Sequence, residues 1–261
     1  RQGVEVRPVD ACHSLWDCTL EADGQGEAVL RLGLRLIKGL SRQGGERLVQ
    51  RRGGAGWASV ADLARRVGLS RKDLQALAAA GALAGLAGNR HQAVWQVLGL
   101  QSPLPLFQGA AEPQALPMLA PPGEGESILA DYASLGLSLG RHPLALLRPH
   151  LGRRRLSSAV VVNATAQGRV VRTAGLVIYR QRPASANNVT FVTLEDETGY
   201  VNLVVWKRRA ERQRTILLGA RLLGVIGEVQ RESGVVHVVA RRLLDYSDLL
   251  GGLVTRSRDF Q

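Results

Sequence analysis

Hydrophobic positions along the chain change their period near residue 37 and again after residue 153. Val4 and Val6 alternate with polar neighbours until Pro8 interrupts before Val9, the pattern of a short strand cut by proline. Leu30, Leu32, Leu34 and Leu36 alternate again, with Arg31, Gly33 and Arg35 between them. That spacing predicts a strand feeding the turn Lys38-Gly39-Leu40-Ser41. From Arg42 to Arg52 the period becomes helical. Ser59-Val60-Ala61-Asp62 and Ser70-Arg71-Lys72-Asp73 have the shape of capping boxes, with Asp in the fourth place. They predict a short helix ending at Gly68 and a second, with Leu74, Leu77 and Ala78 on one face, stopped by Gly81. Asn89 is placed to cap a further helix to Leu98. Residues 37–100 therefore read as short helices joined by tight glycine turns.

Six of the ten prolines fall between residues 101 and 125. This composition predicts a linker, followed by short helices over Ser127–Leu135 and around Pro143–Leu147. Beyond Arg153 the apolar runs are short and β-branched. Strands are expected at Val170–Tyr179, Val189–Leu194 and Tyr200–Trp206, then a helix over Lys207–Gly219, then strands at Leu222–Gln230 and Val235–Leu243. Glu195-Asp196-Glu197-Thr198-Gly199 reads as a turn. Three strands, a helix and two strands is the order of a five-stranded barrel of the oligonucleotide-binding (OB) type. The expected fold class is α+β and multi-domain, a helical hairpin module plus that barrel.

Charge sharpens this division. The chain of 261 residues carries a formal net charge of +12, but not evenly. Residues 31–100 are net +9 and residues 153–245 net +9, while residues 1–30 are net −4 and residues 101–152 net −2. Two basic modules separated by an acidic connector point to a polyanion, most simply nucleic acid. No run approaches the roughly 18 apolar residues of a membrane span. Two cysteines and no secretory leader lead us to expect a cytoplasmic protein.

Candidate chemistry follows the two modules. Lys38-Gly39-Leu40-Ser41 opening onto a helix brings backbone N–H groups to a phosphate, with Arg42, Arg47, Arg51 and Arg52 adding charge. Gly68, Ser70, Arg71 and Lys72 look like a second copy. Binding of this kind holds the sugar–phosphate backbone rather than reading bases. In the barrel, Arg172, Tyr179, Arg180, Arg182, Phe191 and Trp206 interleave cations with aromatic platforms, the combination that holds single strands. Strand alternation leaves Phe191 and Trp206 open to a plain core reading. Lys207 and Arg208 begin a basic helix. Glu195, Asp196 and Glu197 are better read as a turn than a metal site. Cys12, His13 and Cys18 lack the second half of a zinc site. No nucleophile elbow, phosphate loop or metal motif appears, so no catalytic residue is assigned.

Six motifs in order carry a resemblance: Val4–Asp10, Trp16-Asp17-Cys18, Leu32–Leu40, Ala78–Leu83, Leu139–Leu144 and Val192–Gly199. The chain resembles the C-terminal part of bacterial C-family DNA polymerase alpha subunits, most of all the error-prone branch that acts in damage-induced translesion synthesis. The resemblance implies that residues 1–30 close a fingers region, that 31–100 form a tandem helix-hairpin-helix module on duplex DNA, and that 153–245 form the OB barrel, with 101–152 a linker and 246–261 a tail. It also implies that the catalytic palm and its Mg ions lie upstream, so that this piece needs no cofactor and does not polymerise alone. Leu106 and Phe107 match the end of the family's clamp-binding peptide, whose leading Gln is absent here. The expected partners are then DNA, duplex and single-stranded, and accessory mutasome proteins, with the sliding clamp reached indirectly. Two other readings stay open: a protein–protein assembly module, and an RNA-binding OB-fold protein.

Overall fold

The computed structural model describes residues 4–22, 24, 26–53, 56–100, 118–183, 189–232 and 234–251. The chain forms two compact units, Arg1–Gly140 and Arg141–Gln261. Each is described by itself.

The first unit opens with a small sheet in which β3 (Ala28–Arg31) lies between β1 (Val6–Arg7), parallel to it, and β2 (Thr19–Ala22), antiparallel. The strand expected over Leu30–Leu36 stops early. β3 ends at Arg31, and Leu34–Leu36 form one turn of 3-10 helix. The amides of Leu34 and Arg35 donate to Leu15 and Trp16 carbonyls at 2.9 and 3.0 Å, which draws the chain away from the sheet. Leu32, Leu34 and Ile37 are all buried in the same core, so the alternation reflects burial along a bend rather than one sheet face.

Helices α1 (Arg42–Arg51), α2 (Val60–Val67), α3 (Arg71–Ala79), α4 (Ala84–Ala87) and α5 (Arg90–Gly99) follow. Ser41, Ser59, Ser70 and Asn89 each accept the amide three residues on, as expected of N-caps. Leu34, Leu48, Leu63, Leu77 and Leu83 are fully buried between these elements, each adding about 1.5–3 kcal/mol. The region expected to be a linker divides differently. Helix α6 (Glu124–Ser134) is part of the first unit. Arg90 pairs with Asp131 and donates to the Ser127 carbonyl at 3.0 Å, and His91 contacts Ala120 and Glu126. Proline content carries no sign of those contacts.

The second unit begins with α7 (Pro143–Arg153), longer than the helix expected there. Leu144, Leu147 and Leu151 form its buried stripe, which holds the helix together across Pro149. After α8 (Ala159–Ala164) come β4 (Val170–Gln181), β5 (Thr190–Asp196), β6 (Gly199–Val205), α9 (Lys207–Arg212), α10 (Arg214–Gly219), β7 (Leu222–Glu232), β8 (Val235–Asp245) and α11 (Asp248–Gly251). The five long strands close into a barrel of order β4-β5-β6-β8-β7, with β7 pairing back onto β4. Only the β6–β8 pair is parallel. The fold is thus the expected one, α+β with a five-stranded OB barrel. The single helix expected over 207–219 is instead two, broken at Gln213. Its side chain donates to Leu243 O and accepts from Leu243 N, at 2.8 and 2.9 Å, and so pulls the chain onto β8. Leu217 and Ala220 then plug the barrel core.

The acidic turn between β5 and β6 is a structural anchor. Buried Asp196 accepts from Thr198 N, Thr198 Oγ1 and Gly199 N through one oxygen. Its other oxygen accepts from Ala159 N at 2.7 Å and from Arg148 at 2.9 Å, and Arg148 also grips Glu197. One carboxylate therefore ties α7, the start of α8 and the barrel together. Replacing Asp196 with Ala leaves three amides without their acceptor and takes from half-buried Arg148 one of its two carboxylates. We expect a loss of about 3–5 kcal/mol, read as a lower urea midpoint followed by barrel circular dichroism; an unchanged midpoint would remove Asp196 from this role.

Candidate nucleic-acid interface

Two turns of the first unit share the tetrapeptide Gly-Leu-Ser-Arg, at residues 39–42 and 68–71. Gly39 and Gly68 both have positive φ, +88° and +65°, a conformation that side chains with a Cβ strain to adopt. In each turn the Leu is half-buried while the Gly, Ser and Arg are exposed. Each Ser caps the next helix, Ser41 accepting from Gly44 N at 3.0 Å and Ser70 from Asp73 N at 3.1 Å. The first two amides of α1 (Arg42, Gln43) and of α3 (Arg71, Lys72) have no partner within their helices and point outward with the positive end of the helix dipole.

Asp73 holds the two turns side by side. The sequence suggested that it closes a local capping box at Ser70. Instead its carboxylate reaches across to the first turn, accepting from Ser41 N at 2.8 Å and Ser41 Oγ at 3.2 Å, and from Ser70 Oγ at 2.7 Å. Burial alone pushes this carboxyl upward. The Ser41 amide, the Ser70 and Ser41 hydroxyls and the nearby Arg47 charge outweigh burial and hold it below the ordinary Asp value. Gly44 leaves room for it, since a Cβ there would lie 2.8 Å from Asp73 Oδ2.

The remaining basic residues divide between surface and scaffold. Arg42, Arg71 and Lys72 are exposed beside the two turns, Arg42 in an i,i+4 pair with Glu46. Lys38 is exposed, but its Nζ donates to Tyr132 O at 3.0 Å and its amide to Ser134 O, so it also fastens the end of α6. Arg47 is half-buried and faces Asp73. Arg51 and Arg52 do not join the first turn. They lie at the other end of α1, about 14 Å along the axis, where Arg51 donates to Arg66 O and Arg52 to Ser14 O. Burial lowers the Arg52 pKa below the usual arginine value.

On the barrel, cross-strand register places Tyr179, Thr193 and Asn202 in one row and Gln181, Phe191 and Val204 in the next. Trp206, two residues beyond Val204, follows the same alternation. Tyr179, Phe191 and Trp206 therefore share the outer face of the β4-β5-β6 sheet. Neither Phe191 nor Trp206 is core: Phe191 is half-buried and Trp206 is 55% exposed. Arg172, Arg182, Lys207 and Arg208 are exposed. Arg180 turns the other way, donating to Leu217 O at 2.7 Å and to Ala220 O, where it satisfies the carbonyls at the end of α10. The polar residues Thr193, Asn202 and His237, which register aligns across three strands, escaped the sequence reading because pairing between strands is not visible in one strand's pattern. Leu106 and Phe107 lie outside the described residues.

A groove of about 640 Å³ in the first unit runs between α5 and α6, with Trp95 and Leu98 half exposed along it. Among the described residues no group of three His, Cys, Asp or Glu side chains is placed to hold a metal ion. No helix among them is long and apolar enough to cross a membrane.

Each of the two units matches a known domain family. Residues 3–93 match the helix-hairpin-helix motif family, and residues 165–245 match the OB-fold nucleic acid binding domain family. End to end, the chain is similar to error-prone DNA polymerases. It is 58% identical to that of Alkalilimnicola ehrlichii over 260 residues, covering all of this chain and 25% of that protein. Identity is 53% with the error-prone DNA polymerase of an Azoarcus species, covering 25% of it, and 50% with that of Methylococcus capsulatus, covering 27%. The chain spans about a quarter of the length of the curated relatives it matches. The resemblance carried by the six motifs is thereby shown over the whole chain.

Because Asp73 is held below its unfolded pKa of about 3.9, its contribution to stability is complete above that pH. It is lost as pH falls through the lower folded value. We expect Asp73→Asn to destabilise the first unit by about 1–3 kcal/mol at neutral pH. The gap between variant and parent should narrow in urea unfolding curves as pH falls below that unfolded value. A gap that stays constant with pH would show that the charge is not what joins the turns.

Proposed function

We propose that this chain is the DNA-holding part of an error-prone DNA polymerase acting in translesion synthesis. In this reading the hairpin unit grips template–primer duplex through backbone phosphates. Gly39, Leu40, Ser41, Arg42 and Lys38 serve the first turn, and Gly68, Ser70, Arg71 and Lys72 the second. The observation that carries it is the pair of matched Gly-Leu-Ser-Arg turns locked by one carboxylate, which presents two sets of outward amides at a fixed separation. Such a pair suits two phosphates of one duplex and carries no base readout. The barrel engages single-stranded template, with Tyr179, Phe191 and Trp206 as stacking platforms, Arg182 at the same end of β4, and Arg172 tracking the backbone near the strand's other end, about 23 Å from Tyr179. Polymerisation and its Mg ions belong, in this proposal, to the rest of the parent protein.

A second reading, an assembly surface, attaches to the apolar groove between α5 and α6. Accessory mutasome proteins would dock there and bring the sliding clamp indirectly. The two readings place binding on different surfaces, so they separate by mutation.

Fluorescence anisotropy on duplex, single-stranded and primer–template DNA over a salt series tests the main reading. With 6–10 phosphate contacts, affinity falls by roughly 10³–10⁵ between 50 and 200 mM salt. Arg71→Gln and Lys72→Gln should each flatten the duplex salt slope by about 0.9. Gly39→Val, forced into a positive-φ turn, should weaken duplex binding while circular dichroism stays native. A salt-independent affinity, or one unmoved by all three changes, would shift the function to the groove.

A further inference from the structure

The barrel unit contains a cavity that neither the hairpin turns nor the aromatic face accounts for. It has a volume of about 210 Å³ and opens where β4 has ended and α9 and α10 begin. Arg182, Lys207 and Arg214 line it beside Glu211, and Leu217 and Leu218 form its apolar wall. A water occupies about 30 Å³, so the space admits one phosphate group with part of its hydration.

Its charge is less balanced than that around Arg148 or Arg241. Arg148 is paired with Asp196 and Glu197, and Arg241 with Glu228. Around this cavity three cations face one carboxylate, and among the described residues Lys207 and Arg214 make no ion pair, with Glu211 or any other acid. Like charges gathered on a concave wall with apolar backing repel one another and raise the local potential for an anion. Nothing in the barrel's packing calls for them there: Lys207 and Arg214 are exposed.

The neighbours name the anion. Trp206 directly precedes Lys207. Gln181, whose side chain donates to the Tyr179 hydroxyl at 2.6 Å, directly precedes Arg182. In both places a residue of the aromatic face, or one bonded to it, directly precedes in sequence a cation that lines the cavity. A strand stacking a base on Trp206 would present its adjoining phosphate beside Lys207, the next residue along the chain and one of the three cations of the cavity.

We propose that the cavity lined by Arg182, Lys207 and Arg214 is a phosphate site, holding one phosphate of a nucleic-acid strand whose neighbouring base stacks on Trp206. The inference rests on the single-strand reading of the barrel given above. Its ligand chemistry is a phosphate oxyanion, supplied either by an internal phosphodiester or by a terminal phosphate monoester.

The test uses the whole chain and a 3′-labelled twelve-residue oligothymidylate, made with a 5′-phosphate or a 5′-hydroxyl, in anisotropy titrations over a salt series. Arg214→Gln and Lys207→Gln are compared with Arg241→Gln and with Arg214→Lys, and thermal melts confirm folding. The expected result is a several-fold loss of affinity for the two Gln variants at low salt. Each should flatten the salt slope by about 0.7, the value for one phosphate of a single strand. Arg214→Lys keeps the slope, and Arg241→Gln changes little. A tenfold preference for the 5′-phosphate assigns the site to a chain end, and equal binding assigns it to an internal phosphodiester. Binding by the parent with both Gln variants unchanged, or with Arg241→Gln equally impaired, overturns the site and leaves the single-strand reading standing. No binding of either oligonucleotide by the parent overturns both.

Discussion

A single buried carboxylate sets the geometry of the helical unit. Asp73 sits at the third position of α3, where a carboxylate ordinarily returns to its own helix cap, and instead it takes the first turn's Ser41 as its main partner. Removing its charge from water is costly, and three donors offset that cost only when both turns are in place. The two helix starts are therefore either both correctly placed or both wrong. Their separation is fixed by hydrogen bonds of 2.7 to 3.2 Å, added to the packing of Leu40 and Leu69 against one shared core.

The second unit repeats the device with different parts. Asp196 receives the first amide of α8 and the guanidinium of α7 while it shapes the β5–β6 turn. In both units an acidic residue in a strongly basic surrounding is buried and shared between elements distant in sequence. The basic residues are left to the surface, where they carry the potential that draws a polyanion. Buried acidic side chains here build the scaffold, and many basic ones face outward, while others, among them Arg31, Arg52, Arg90, Arg148, Arg180 and Arg231, bind carbonyls or carboxylates instead.

Much of this was legible from the chain alone. The caps at Ser59, Ser70 and Asn89 are local chemistry, and the succession of strands and helix in the barrel follows from local periods, so pattern and turn residues were sufficient. What depended on contacts across tens of residues was not legible. The end of β3 at Arg31 follows from amides pairing with Leu15 and Trp16. The break at Gln213 follows from a hydrogen-bonded grip on β8. The roles of Arg51, Arg52 and Arg180 follow from carbonyls that no window around them contains. A helix is expected from Ser127, but composition misjudges the stretch just before it: Pro121 and Pro122 suggest a tether, while His91 and Gln92 hold Leu119, Ala120 and Glu126 to α5.

Closure of the barrel has a consequence for when its outer surface comes into being. β4 pairs with β7, so Val170 faces Glu228 and Leu176 faces Leu222 across an interval of some fifty residues. Contacts of that span form late, because the intervening loop must be closed before any of them is gained. Until Leu222–Glu232 has left the ribosome, β4 to β6 are a sheet with open edges and a half-made interior. The aromatic surface that would stack bases is therefore unavailable to a nascent chain, whereas the helical unit, complete by residue 140, can mature well before it.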